Sequence, residues 1–142
     1  MKISAKIDYA CRALLELCLH GVNSTPLQIG EIAKRQRIPI KFLTHILIQL
    51  KQMGYVDSIR GQKGGYLLIV PAAEIKLSDV IKSFGGLGYS IKEARKKTTH
   101  FHVIELIWQE IDAIVLNKLD EITFETILHR ERSKGKVIMY DI

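Results

Sequence analysis

Residues 38–53 constrain the fold most, because they carry the clearest helical pattern of the chain and are bounded at both ends. Apolar residues recur there at spacings of three and four, which predicts a helix with one buried face. These residues are Leu43, Ile46, Leu47, Leu50 and Met53. Pro39 suits a first helical turn, and Gly54 suits a left-handed cap after the last turn. The sequence therefore predicts an amphipathic helix with marked ends.

Two short apolar segments, at residues 56–60 and 66–70, follow this helix at once. Three of the five residues between them are glycines, so the chain can reverse direction tightly there. We therefore predict a β-hairpin. It carries Arg60 and Lys63 near its tip, which places a basic flap beside the helix.

A shorter helix is predicted before residue 38. Residues 31–36 have helical spacing, but the start of this helix has two interpretations. Residues 25–28 have the form of a capping box, whereas a brief strand at residues 27–29 would place the start later. In either case a short helix, a tight turn and a second helix form a helix-turn-helix, which places its second helix in the major groove of DNA.

Residues 4–20 form the predicted first helix, with Ser4 as its N-cap and Gly21 as its stop. The side chains expected to face inward are Ile3, Ile7, Ala10, Cys11, Leu14, Leu15, Cys18 and Leu19. Cys11 and Cys18 lie about 10 Å apart by helical rise, which is too far for an unstrained disulfide. We expect two buried thiols in a reducing compartment, with a redox or metal role as the alternative.

The charge of the chain favours a polyanionic partner. Its 21 lysines and arginines against 15 aspartates and glutamates give a net charge of +6, which supports binding to nucleic acid or an anionic surface. No apolar segment approaches the ~20 residues of a membrane span, and the N-terminus lacks a secretory signal, so we expect a cytoplasmic protein. No nucleophile with a base and no paired carboxylates in an apolar pocket are recognisable, so the sequence does not indicate an enzyme.

A long amphipathic helix is predicted from residue 98 or 99 onward, capped by one of two threonines. Its apolar residues expose more surface than one small domain buries easily, so we expect this helix to form a dimer interface. They are Phe101, Ile104, Ile107, Trp108, Ile111, Ile114 and Val115. Trp108 fits that interface and the core of its own chain equally well.

The predicted fold is mainly α with one small β-hairpin. Residues 1–84 form a winged helix-turn-helix domain and residues 85–98 form a basic loop. Residues 99–130 contain the dimerisation helix and a final helix, and residues 131–142 form a tail. The final helix is expected at residues 122–130, and it packs back on the domain through Phe124, Ile127 and Leu128.

Two segments carry a resemblance to a known family: MKISAKIDYA at residues 1–10 and RGQKGGYLL at residues 60–68. With the order of helices and hairpin, they make the chain similar, up to about residue 127, to the Rrf-type family of bacterial winged helix-turn-helix transcription regulators. The resemblance implies a homodimer that binds double-stranded DNA, with the recognition helix in the major groove and Arg60 in the minor groove. We therefore expect a transcriptional repressor acting on a palindromic operator.

The expected DNA-binding residues are Gln28, Pro39, Lys41, Phe42, Thr44, His45, Arg60, Gln62 and Lys63. Gln28 and Lys63 are expected on phosphates, where they position the protein without reading sequence. Base contact is expected at Thr44 and His45, although a purely solvated role fits their outward positions as well.

The chain departs from the family at the cysteines. Members that bind a [2Fe-2S] cluster carry three cysteines in the region of residues 85–98 and a further ligand on the next helix, whereas residues 85–108 here contain no cysteine. Because such clusters are held mainly by thiolates, we expect a member without a cluster, cofactor or metal. His102 and Glu105 stand at the positions of the last cysteine and the histidine, but two ligands leave a metal site incomplete.

Control must then come from another source. The sequence leaves open a small molecule bound near Tyr89 and Trp108, a regulatory protein, or no effector. An alternative function is a winged helix that serves chiefly as a protein-docking module, with its activity set by a partner.

Overall fold

A computed structural model describes residues 2–87 and 102–140. The helices there are α1 (Ala5–His20), α2 (Ile29–Gln36), α3 (Ile40–Gln52), α4 (Leu77–Ser83), α5 (Val103–Glu121) and α6 (Phe124–Tyr140). Strands β1 (Val56–Ile59) and β2 (Gly65–Leu68) form an antiparallel hairpin, and one 3-10 turn, Ala72–Glu74, precedes α4. The predicted class, mainly α with a small hairpin, is confirmed. In these residues no helix has the length and apolar character needed to cross a membrane.

Helix α1 packs against α2, α3, α4 and α6. As predicted, Ser4 caps it, because the Ile7 N–H donates a hydrogen bond of 3.2 Å to the Ser4 hydroxyl. The predicted inward placement of Ile3 and Leu19 is wrong, since they are 44% and 36% exposed. Ile3 precedes the helix, and Leu19 lies about 100° around the helix from the buried Cys18. Ala13 and Leu17 are buried in their place.

Helix α2 begins at Ile29, close to the later of its two predicted starts, but the predicted strand at residues 27–29 is reduced to a single bridge at Leu27. Leu27 and Tyr66 exchange backbone hydrogen bonds of 2.8 and 2.9 Å, which holds the preceding residues extended rather than helical. The helix ends at Arg37 in a left-handed conformation, with φ 52°. This residue turns the chain from α2 into α3.

Helix α3 buries the predicted apolar stripe. Its buried residues are Leu43, Ile46, Leu47 and Leu50, each at most 1% exposed. Pro39 is the N-cap, one residue before the helix rather than in its first turn. Gly54 has φ 82°, as the predicted left-handed end requires. The remaining side of α3 is therefore presented outward.

The hairpin is joined to the helix-turn-helix and is not a free flap. Its strands pair Val56 with Leu68 and Ile59 with Gly65, and each is slightly shorter than predicted. The loop between α1 and α2 bonds to β2, through Leu27 and through the Asn23 N–H, which donates to the Leu68 carbonyl at 2.8 Å. The hairpin and α2 are thereby held in one arrangement.

Helices α5 and α6 are attached to the rest of the fold through the segment that joins them. The Leu77 N–H donates to the Ile122 carbonyl, and the Phe124 N–H donates to the Ile75 carbonyl, both at 2.9 Å. Phe124 is fully buried, and Ile127 and Leu128 pack on the core, as predicted.

The last helix continues to Tyr140, so its predicted end at residue 130 is wrong. Residues 131–140 contain no proline and several long charged residues that favour helix, but no clear apolar period. The amphipathic pattern that identified residues 122–130 therefore stops before the helix does.

Candidate nucleic-acid interface

The outward side of α3 carries the predicted reading residues. Pro39, Lys41, Phe42 and His45 are exposed, and Thr44 is half-buried. The Thr44 hydroxyl donates to the Ile40 carbonyl at 2.9 Å, which orients it along the helix while its oxygen can still accept a hydrogen bond. The first two turns of α3 thus present one cation, one imidazole and one hydroxyl on an accessible surface.

The tip of the hairpin places Arg60, Gln62 and Lys63 in solvent. Among residues 2–87 and 102–140, Arg60 and Lys63 have no acidic partner, so both charges are available to an external anion. Gln28 lies at the same end of the hairpin, because its Nε2 donates to the Gln62 carbonyl at 3.0 Å. Gln28 therefore joins Arg60, Gln62 and Lys63 in one polar and basic surface at the hairpin tip.

Two glycines at the loop end of the hairpin allow the backbone segments there to pack closely. A β-carbon at Gly64 would overlap the Ile59 carbonyl oxygen, and one at Gly65 would overlap the Leu27 carbonyl oxygen. Gly65 also has φ 147°, a conformation that other residues rarely adopt. The hairpin can lie this close to itself and to α2 only because both side chains are absent.

An open groove of about 730 Å³ lies between α3 and β1. It is lined by Ile48, Lys51, Gln52, Ser58, Ile59, Arg60, Gly65 and Tyr66. Lys51 spans it, with Nζ 2.7 Å from the Ser58 hydroxyl and 3.7 Å from the Asp57 carboxylate. Sequence reasoning missed these lining residues apart from Arg60, although an isoleucine at outward position 48 was a usable signal.

A polar network fixes the turn that precedes α3. Arg12 donates from its guanidinium to the Gln36 carbonyl at 2.6 Å, and the Gln36 side chain donates to the Glu16 carboxylate at 2.7 Å. Glu16 is only 8% exposed, and Arg35 stands 3.6 Å from it. Helix α1 therefore holds the end of α2, and with it the start of α3.

The chain holds one buried thiol, Cys18, and one half-buried thiol, Cys11. Its two cysteines both lie in α1, and burial raises the pKa of Cys11 and of Cys18 to about 11, with the charge of Asp8 adding to the shift at Cys11. Thiols with such a pKa are neutral at physiological pH. In the described parts of the chain no three His, Cys, Asp or Glu side chains come together as a metal site. His102 is the N-cap of α5, and Glu105 lies in the first turn of that helix.

Helix α5 has a long apolar side without cover in one chain. Ile104, Ile107, Trp108, Ile111 and Ile114 are between 41% and 68% exposed. Val115, predicted for the same interface, is instead half-buried, as is Leu119, which packs on the core. Phe101 lies outside the described residues. None of the residues of α5 is fully buried.

Comparison with protein families identifies the same architecture in known regulators. A family model described as Rrf2, an iron-dependent transcriptional regulator, matches residues 3–130. A candidate rrf2-like HTH-type transcriptional regulator of Rhodobacter capsulatus is 41% identical over 86 residues. That match covers 59% of this chain and 57% of the relative, so the chain spans little more than half of that protein.

Two solved structures share the fold over most of both chains. IscR of T. potens superposes with a TM-score of 0.77 and 27% identity, covering 92% of this chain and 88% of that one. CymR, the global cysteine regulator of B. subtilis, superposes with a TM-score of 0.79 and 25% identity, covering 92% and 98%. The matched proteins are regulators, and no enzyme family is indicated.

Proposed function

This chain belongs to the Rrf2 family of transcriptional regulators, and we propose that it acts as a homodimer that binds a palindromic DNA operator. The observation that carries the proposal is the surface formed by the outward side of α3 and the hairpin tip, which meet at a common groove. In it Lys41, Arg60 and Lys63 have no acidic partner in the described parts of the chain. A helix beside a basic hairpin suits one major groove and the adjacent minor groove.

The proposed division of labour follows from position. Arg60 extends from the end of β1 and would enter a narrow minor groove, where negative potential is concentrated. Gln28, Gln62 and Lys63 would contact phosphates and set the register of the protein on the duplex. Thr44 and His45, on the outward side of α3, would face base edges, with Lys41 beside them.

A homodimer is proposed from the exposed side of α5. Ile104, Ile107, Ile111 and Ile114 alternate at spacings of three and four, the pattern with which two helices pack along a common seam. Single surface isoleucines need no explanation, but a contiguous row of them along three turns does. Two-fold pairing of this helix would present two α3 helices to one duplex and account for a palindromic operator.

The proposed role of the hairpin in DNA binding is tested by Arg60→Ala. We expect the affinities for an operator selected from a random pool and for random duplex to fall together, by roughly tenfold. The slope of log K against log salt should become smaller by about one, which corresponds to one lost phosphate contact. Fluorescence anisotropy with labelled duplexes across a salt series measures both quantities. Arg130→Ala, on exposed α6, removes the same charge away from the proposed surface and should change neither. Equal binding by Arg60→Ala and Arg130→Ala would remove the hairpin from the mechanism.

We also propose that this member carries no iron–sulfur cluster. Only Cys11 and Cys18 could supply thiolates, and both are held as neutral thiols inside or against the core. Protein purified under anaerobic conditions should therefore show no visible absorption band and only trace iron by elemental analysis. A broad visible band together with stoichiometric iron and sulfide would contradict this, and Cys11→Ser and Cys18→Ser would then show whether these thiols hold it.

Repression is the regulatory outcome we propose, because a dimer seated on an operator excludes other proteins from that DNA. In vitro transcription from a promoter that overlaps the selected operator tests it. Addition of the protein should reduce the transcript in proportion to operator occupancy, and an increase would identify an activator instead.

A further inference from the structure

The first turn of α3 exposes two large apolar side chains in the middle of the proposed DNA surface. Ile40 and Phe42 are 55% and 58% exposed, although the helix has a separate, fully buried apolar stripe. They flank Lys41, and Thr44 and His45 follow one turn later. Such exposure is unfavourable in water, because contact with an apolar partner would lower the free energy of each side chain. The chemistry of the surface around them indicates what that partner is.

The ring of Phe42 packs beside an aromatic side chain of α1. Its centroid is 6.2 Å from that of Tyr9 on α1, with the planes tilted by 47°. The Arg12 guanidinium lies 4.9 Å from the centroid of the Tyr9 ring. It also donates a hydrogen bond to the Gln36 carbonyl and forms an ion pair with Asp8. The aromatic side chain is therefore supported in an outward position, which lowers the entropy lost when it meets a ligand.

DNA offers few apolar groups to such a side chain. Phosphates are charged, and the major-groove edges of adenine, guanine and cytosine present only hydrogen-bond donors and acceptors. The 5-methyl group of thymine is the apolar feature of the major groove, and phenylalanine is among the residues that contact it. Because residues at the start of a recognition helix reach the base edges, Phe42 stands where that methyl group would be met.

We infer that Phe42 is a specificity-determining residue that recognises a thymine methyl group in each half-site, and that Ile40 contributes a second, weaker contact of the same kind. The inference rests on the proposed function and adds to it which base is read and by which chemical group. Tyr9 and Arg12 act as positioning residues for the phenyl ring. The operator must then contain a thymine in each half-site opposite the first turn of α3.

The test uses an operator obtained by selecting duplexes from a random pool with the intact protein. Each thymine is replaced in turn by deoxyuridine, which removes the methyl group and keeps every hydrogen bond. At one thymine per half-site, wild-type affinity should fall about fourfold for each methyl group lost, or about fifteenfold when both half-sites are changed. Phe42→Ala should bind the thymine and uracil operators equally, while His45→Ala should retain the wild-type ratio.

Two further measurements make the result specific. Phe42→Leu keeps an apolar side chain and should retain part of the affinity loss caused by replacing thymine with deoxyuridine. A thermal unfolding curve for Phe42→Ala equal to that of wild type excludes misfolding as the cause of its altered binding. Placing 5-methylcytosine at the same position should recover part of the affinity lost when thymine is changed to cytosine. The inference is overturned if wild-type protein binds uracil operators as tightly as thymine operators, or if Phe42→Ala retains the full penalty. If the selection yields no bound duplex, the proposed function itself fails, and this inference with it.

Discussion

Ile107→Glu is expected to convert the proposed dimer into monomers and to lower operator affinity by roughly a thousandfold. The side chain lies in the middle of the exposed apolar row of α5, so two-fold pairing would bury two new carboxylates against each other. A monomer engages one half-site and loses the gain from linking two contacts, which places its affinity in the range of non-specific binding. Sedimentation velocity and operator titration measure the two effects.

Asn117→Glu is the matched control for this change. It adds the same charge to the same helix, at an exposed polar position outside the row of isoleucines. It should leave both the sedimentation coefficient and the operator affinity close to wild type. A dimer that persists unchanged in Ile107→Glu would show that α5 is not the interface.

Gly64→Ala is expected to lower the free energy of unfolding by about 3 kcal/mol, near the upper part of the range for overpacking. The new β-carbon would meet backbone, the Ile59 carbonyl oxygen, which cannot rotate away as a flexible side chain can. The hairpin must therefore open, and the tip carrying Arg60 moves with it. Urea unfolding measures the stability loss, and operator affinity should fall by a larger factor than for Arg60→Ala.

Gly30→Ala provides the comparison on α2. A β-carbon there meets nothing within 4 Å, and the residue is helical. Replacing glycine within a helix should stabilise the protein by about 0.5–1 kcal/mol. If Gly64→Ala unfolds at the same urea concentration as wild type, the tight packing at the loop end of the hairpin is not needed for stability.

The sequence predicted those parts of the fold in which local chemistry and burial agree. The stripe through Leu43 and Leu50 has an undisturbed helical period, so α3 could be placed to within about a residue at each end. Ser4 marked the start of α1 through its side-chain hydroxyl, and Gly54 marked the end of α3 through its left-handed backbone conformation. For these elements the deciding interactions lie within a few residues of each other along the chain.

Elements that depend on distant residues were harder to predict. The start of α2 is set by the pairing of Leu27 with Tyr66, and the local pattern alone left this extended segment and a capping box as two open interpretations. The end of α6 lies beyond the part of that helix that packs on the core, so its apolar period had already stopped. The exposure of Ile3 and Leu19 likewise follows from where α1 meets the other helices rather than from hydrophobicity.

In the candidate site, too, some features follow from local sequence and others depend on distant residues. Lys41, His45, Arg60 and Lys63 were predicted as DNA-binding residues of one helix and one hairpin, and the structure adds the groove at which those two elements meet. The Gln28 contact to the hairpin joins residues 34 positions apart in sequence. The groove beside Ile48 and Ile59 was not predicted because its two walls belong to different elements. Which residues are functional could be proposed from sequence, but how they are combined required the structure.

Selection of bound duplexes from a random pool, with the intact protein at physiological salt, tests the central proposal most directly. A homodimeric winged-helix regulator should enrich a dyad whose half-sites are centred about one helical turn, ~34 Å, or a small multiple of it apart. Each half-site should be protected in both a major groove and the adjacent minor groove. Binding without any enriched dyad sequence, or no binding at all, would contradict it.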